Sequence, residues 1–181
     1  MKITAFVGGF GFPSSTTELT RLLARLLTER TGAEVQFVEL REVASHLADA
    51  ATLGFPAPAL AEALEAVESA DLLIATSATF RGSYAGLFKA FFDLVDPVAM
   101  HGKPVVLGAT GGSVRHQLVI DHALRPLFTY FGSLIVPTAV YASPEDWQPG
   151  GIPSDELDRR AGRIAEQARA LVQGKLAEAV R

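Results

Sequence analysis

Short apolar runs alternate along this chain with longer stretches of helical period, and no other feature restricts the fold as much. Residues 2–8 read as a first strand. Leu19, Leu22, Leu23, Leu26 and Leu27 then form one stripe, with Arg21, Arg25 and Arg30 off it, which predicts an amphipathic helix closing near Gly32. Residues 34–40 alternate and predict a second strand nearer a sheet edge, 41–58 read as irregular, and Pro58 opens a helix to about Ser69. Residues 71–76 are nearly all apolar, as in a central parallel strand covered on both faces. Residues 84–95 predict a helix apolar around most of its girth, in which Gly86 implies a close neighbour; 104–109 predict a fourth strand. Residues 115–131 predict a helix kinked or broken at Pro126, and 134–141 a fifth strand. A last helix is predicted over 153–180, with Leu157, Ile164, Ala168 and Leu171 inward.

Strands and helices in strict alternation, with connections long enough for right-handed crossovers, predict a three-layer α/β/α sandwich. In 181 residues the natural form is one domain around a five-stranded parallel sheet of order 2-1-3-4-5. Ligands of such sheets bind beyond the carboxyl ends of the strands, where the order reverses. Composition removes several chemistries. With no cysteine there is no thiol nucleophile or iron–sulfur cluster, and a metal site would have to draw on four histidines and carboxylates. A net charge of −4 without a basic run argues against nucleic acid and anionic membranes, and the absence of a leader-like or membrane-spanning run predicts a cytoplasmic protein.

Three loops then carry the candidate chemistry. After the first strand, Ser14, Ser15, Thr16 and Thr17 gather hydroxyls where a helix begins, an arrangement suited to a phosphate; Ser15 with Glu18 also reads as a plain capping box. Gly9-x-Gly11-x-x-Ser14 is a near miss to a dinucleotide fingerprint, and no Walker lysine follows. After the third strand, Thr79, Phe80, Arg81, Gly82, Ser83 and Tyr84 offer flat side chains and a guanidinium for a planar ring with a phosphate tail. The same aromatics also suit a core with Arg81 in solvent. After the fourth strand, Thr110, Gly111, Gly112 and Ser113 predict a compact turn whose N–H groups can approach a ligand, with His116 as either a cap or a ligand contact. Lys89 and Asp93, four apart, predict an ion pair.

With those loops the chain resembles the NAD(P)H-dependent FMN reductases of the flavodoxin-like superfamily, over nearly its whole length to about Trp147. FRGSYAGLFKAFFDLV at 80–95 and ATGGSVRHQLVIDHALRPLFTYFG at 109–132 carry most of the resemblance, and TAVYASPEDW at 138–147 is similar to reductases serving luciferase-like and alkanesulfonate-type monooxygenases. The resemblance implies that Ser14, Thr16 and Thr17 hold the FMN phosphate; Gly9, in the same loop, is a further candidate cofactor contact. It places Phe80 to Tyr84 along the ring and ribityl chain, and Thr110 to Ser113 at the other ring edge; Thr79 and His116 are further candidate contacts beside these segments. The chain departs from many relatives in having Gly11 where they carry arginine, and Ala78 and Phe80 where they carry a Pro-x-Tyr. The implied reaction is hydride transfer from NAD(P)H to FMN, with reduced FMN released to a flavin-dependent monooxygenase. No catalytic side chain is required, because the cofactors carry the reactive atoms.

A quinone or azo-compound reductase of the same fold is the nearest alternative. A flavodoxin-like electron carrier fits less well, since acidic residues are dispersed and arginine outnumbers lysine twelve to four. A dinucleotide-binding domain without flavin predicts an acid closing the second strand, which Glu39 supplies. The apolar helix over 84–95, and the shallow site of so small a fold, predict a homodimer or homotetramer.

Overall fold

A computed structural model describes residues 1–179; Val180, the predicted end of the last helix, lies outside them. The first half runs β1 (Ile3–Gly8), α1 (Ser15–Thr31), β2 (Val35–Glu39), α2 (Leu40–Val43), α3 (Leu47–Leu53), α4 (Pro58–Glu68) and β3 (Leu72–Phe80). The second runs β4 (Ser83–Tyr84), α5 (Gly86–Phe92), α6 (Pro97–Met100), β5 (Pro104–Thr110), α7 (Arg125–Tyr130), β6 (Leu134–Ile135), β7 (Val140–Ala142), β8 (Trp147–Gln148), β9 (Ile152–Pro153) and α8 (Asp155–Ala179).

The main sheet has the order β2-β1-β3-β5, with β6 and β7 both lying parallel along β5. This is the expected 2-1-3-4-5 arrangement with its fifth strand in two pieces. Pro137 has no N–H for the ladder, and the chain leaves β5 between Ile135 and Val140. Period-two alternation divides the core between the two faces. Ile3, Leu72, Ile74 and Val106 pack with α1 and α8, whereas Phe6, Leu73, Val105 and Leu107 pack with α4, α5 and α7. The second face is rich in rings: Phe6 meets Phe91 at 4.5 Å and Phe92 at 5.1 Å, and Phe92 meets Phe128 at 5.0 Å. All five stripe leucines of α1 are buried, each contributing about 1.5–3 kcal/mol. Gly32 closes α1 in the left-handed conformation with its N–H on Thr28.

Four expectations change. The span 41–58 is largely helical: Leu40, Val43, Leu47 and Ala50 form a buried stripe, and Gly54 caps α3 in the left-handed conformation. The helix expected over 84–95 is shorter, because β3 runs on to Phe80 and turns back through β4, so α5 starts only at Gly86. Nothing packs on Gly86; the close approach occurs instead at Gly8, where a Cβ would lie 2.5 Å from the Phe88 ring and 2.6 Å from the Thr76 carbonyl oxygen. The helix expected over 115–131 begins as a short 3-10 turn and then widens to a π-helix at Ile120–Leu124, with the Arg125 N–H on the Ile120 carbonyl. Pro126 follows directly on this wider turn, as the second residue of α7, and the helical run continues through it to Tyr130. Lys89 and Asp93 do pair. Among the described residues no helix is long and apolar enough to cross a membrane.

Candidate functional site

A cleft of about 630 Å³ opens at the carboxyl ends of β1, β3, β5 and β7, at the sheet's reversal point. Its first wall is the β1–α1 loop. Ser14, not Ser15, is the N-cap: its Oγ accepts from the Thr17 N–H at 3.1 Å, and its carbonyl accepts from Glu18 N–H, so the Ser15–Glu18 capping box is not formed. Ser15 and Thr16 keep their N–H groups free at the positive end of α1. Gly9 lies under this turn, where a Cβ would come within 2.8 Å of Thr16 and 3.0 Å of Ser14 Oγ; only hydrogen lets the loop fold over it.

Buried hydroxyls tie this wall to the strands. Thr16 Oγ1 and Thr110 Oγ1 are 2.7 Å apart; Thr20 Oγ1 donates to the Thr16 carbonyl and lies 2.6 Å from Thr76 Oγ1, which donates to the Phe6 carbonyl. In the Thr16–Thr110 pair one hydroxyl hydrogen closes the bond, leaving the other hydroxyl able to donate. Thr17 is also buried but does not line the cleft.

The second wall is the β3–β4 hairpin. Thr79 pairs with Tyr84 and Phe80 with Ser83, and the turn between them has φ of 53° at Arg81 and 82° at Gly82. Two positive φ values match the right-handed twist of a hairpin, at a cost of about 1–2 kcal/mol for a residue with a Cβ. Phe80, 51% exposed, stacks on Phe10 at 6.4 Å and 24°. Ala78, Thr79 and Phe80 line the cleft, while Arg81 and Gly82 do not, and Ser83 and Tyr84 border a separate groove with Phe92 and Tyr130. The two-residue hairpin was readable from Arg81-Gly82 between an apolar run and Ser-Tyr, but arginine is an unusual occupant of its first central position.

The third wall is Thr110–Gly111–Gly112. Gly111 donates to the Ala142 carbonyl at 3.2 Å, and the Tyr141 hydroxyl donates to the Ser113 carbonyl at 2.7 Å. A Cβ on Gly111 would overlap that hydroxyl, whereas one on Gly112 would meet open space. Burial pushes the Tyr141 phenol above its ordinary value, with Thr79 opposing the shift. Ser113 caps the following turn through Arg115 N–H, and neither Ser113 nor the exposed His116 lines the cleft.

A fourth wall was missed from sequence. Ala142, Ser143, Pro144, Trp147 and Gly151 close the α1 side of the cleft. The Asp146 carboxylate accepts from both Ser143 N–H and Ser143 Oγ, and pairs with Arg160, which also donates to the Tyr141 carbonyl. The signal was present as Ser143-Pro144-Glu145-Asp146, a capping sequence directly after β7. Glu39 ends β2 outside the cleft, beside Arg41 at 3.7 Å, and burial pushes its carboxyl up. It is therefore not placed to read a ribose at this site.

An open parallel sheet with a hydroxyl-lined helix terminus and a glycine turn at its reversal point defines a flavodoxin-like protein. The chain belongs to the NADPH-dependent FMN reductase family, whose model matches residues 1–148, and it is accordingly an NAD(P)H:FMN oxidoreductase. It is 43% identical over 176 residues to an FMN reductase (NADPH) of Pseudomonas aeruginosa, covering 96% of this chain and 94% of that protein. It is 44% identical over 169 residues to the NADH-dependent FMN reductase SfnF of Pseudomonas fluorescens, covering 93% and 90%. Among solved structures, an oxidoreductase from Corynebacterium diphtheriae matches with a TM-score of 0.84 and 34% identity, over 96% of this chain and 97% of that one.

Proposed function

We propose that this cleft binds FMN with its phosphate on the Ser14–Thr16 turn and its ring between Phe80 and the Gly111–Gly112 turn, and that the reduced flavin is released to a flavin-dependent monooxygenase. The observation that carries the reading is the Gly9 cradle: backbone packed where no Cβ fits, beneath two free N–H groups and a hydroxyl pair with a hydrogen to spare. A phosphate needs several convergent donors, and this turn provides them. When bound, FMN supplies the atom that accepts hydride from NAD(P)H.

The chain's own part is to position and shield. Ser15 and Thr16 N–H groups and the α1 dipole hold an anion, and Phe80 offers a flat face steadied by Phe10. Gly112, with open space above it, lets a ring edge approach the backbone, and its N–H is a donor for the charge that reduction places there. Relatives in this family with both NADPH- and NADH-dependent names support use of a nicotinamide donor without choosing between the two.

The reading extends to a dimer or tetramer, supported by the groove of about 620 Å³ between Tyr84, Phe92 and Tyr130, where Tyr130 is 77% exposed. Light scattering at micromolar concentration tests it, and a monomer contradicts it. The activity is tested by NADH and NADPH oxidation with and without free FMN. Turnover that rises with added FMN, and coupling to a monooxygenase in a reconstituted assay, is the expected result. Rapid oxidation with a quinone and no response to free FMN favours the quinone-reductase alternative.

A further inference from the structure

Among the described residues that line the cleft, Glu18 is the only one with a charged side chain. It follows Ser14 by four residues and Ser15 by three, so it shares their helix face, and the Cα–Cβ bonds of a helix tilt toward its N-terminus. Its side chain therefore borders the cleft within about one helical turn of the residues that offer donors to an anion. Arg21 Nη1 holds Glu18 Oε1 at 2.9 Å. Arg21, however, borders a different groove, with Arg25 and Phe37, so the pair turns its negative end to the cleft. With side chains 59% and 40% exposed, Arg21 and Glu18 neutralise each other only in part. The rest of the cradle is uncharged: hydroxyls, N–H groups and a helix dipole.

We propose that Glu18 is a specificity-determining residue of the flavin site: it opposes the phosphate of FMN, leaves the phosphate-free flavin untouched, and so lowers the preference of the cleft for FMN over riboflavin. This rests on the reading of the cleft as a flavin site. A cradle holding a dianion by hydroxyls and backbone alone has a modest electrostatic grip, and a carboxylate one helical turn away reduces it further. Arg21 acts in the opposite sense by screening Glu18. The expected size is that of a single charge near a helix end, about two- to fivefold in affinity. Glu18 also supports α1 as an acid in its first turn, which is a stability effect and bears equally on every ligand.

The test is a fluorescence titration of FMN and of riboflavin against wild type, Glu18→Gln and Arg21→Gln. Glu18→Gln is expected to tighten FMN about two- to fivefold and Arg21→Gln to loosen it, with riboflavin unchanged in both. Both differences should collapse at about 1 M salt, where screening acts within about 3 Å. An unchanged ratio of FMN to riboflavin affinity in both variants, or equal shifts for the two ligands, overturns the proposal. Failure of the wild type to bind either flavin overturns the flavin reading itself, a separate and recognisable result.

Discussion

On the Ser14 side of the cleft the threonine side chains that brace the wall are buried and bonded to one another, whereas on the Phe80 side the wall is half in solvent. Thr16, Thr20, Thr76 and Thr110 are each no more than 3% exposed, and they join α1 to β3 and β5. The Gly111 turn belongs with them, held by Tyr141 and Ala142. The hairpin across the cleft instead presents Phe80 at 51% exposure and carries Arg81 at positive φ. A phosphate cradle must hold its donors in advance, because each loose donor costs ordering on binding. A ring platform needs area and a flat face more than exact placement. The two walls should therefore answer mutation differently: the inner one through stability and affinity together, the outer one through affinity alone.

The strongest test of that division is Gly111→Ala. Its Cβ meets the Tyr141 hydroxyl, so it should cost about 1–3 kcal/mol in urea unfolding and sharply weaken FMN. In a Tyr141→Phe background the overlapping oxygen is gone and the cost should shrink; an equal cost in both backgrounds breaks the account of this wall. Thr16→Val comes next, with a loss of about 1–2 kcal/mol in stability from the orphaned Thr110 hydroxyl, together with weaker FMN binding. If Thr16→Val weakens FMN without moving the unfolding midpoint, the inner wall is not braced as described.

Phe80→Ala should leave stability within about 0.5 kcal/mol and reduce FMN affinity about two- to tenfold, read by titration beside thermal melting. A large fall in melting temperature would erase the contrast between the walls. Arg81→Gly should stabilise the hairpin by up to about 1 kcal/mol, measured by chemical denaturation, since glycine occupies positive φ without penalty.

The smallest expected effect is a pH dependence at Tyr141. Its phenol lies above the ordinary value of about 10, so the folded protein holds that proton more tightly than the unfolded chain. The contribution is whole below about pH 10 and is lost as pH rises through the folded value. The stability gap between wild type and Tyr141→Phe should accordingly be flat from pH 7 to about 9 and narrow in more alkaline solution.

The flavodoxin-like order, the α1 stripe and the Ser/Thr turn were legible in the sequence because each rests on local periodicity or on residues adjacent in the chain. Ser14, Thr16, Thr79, Phe80, Thr110, Gly111 and Gly112 come together in the cleft; Thr17, Arg81, Gly82, Ser83, Tyr84, Ser113 and His116 do not line it, and Gly9 acts from beneath. The difference is one of direction. Neighbours in sequence alternate between faces of a strand or turn around a helix, so adjacent residues such as Thr16 and Thr17 have separate fates.

Sequence alone determined the layers, the order of the sheet and the end of it at which the cleft opens, since burial of apolar stripes requires no knowledge of distant partners. Tertiary structure decided the rest. It placed Tyr141 on Ser113, paired Thr16 with Thr110 across 94 residues, closed the cleft with Trp147, and set Glu18 at the cleft while Arg21 bordered another groove. The Tyr141–Ser113 and Thr16–Thr110 contacts join polar groups far apart in the chain, and their energies depend on ångström separations that no residue pattern encodes.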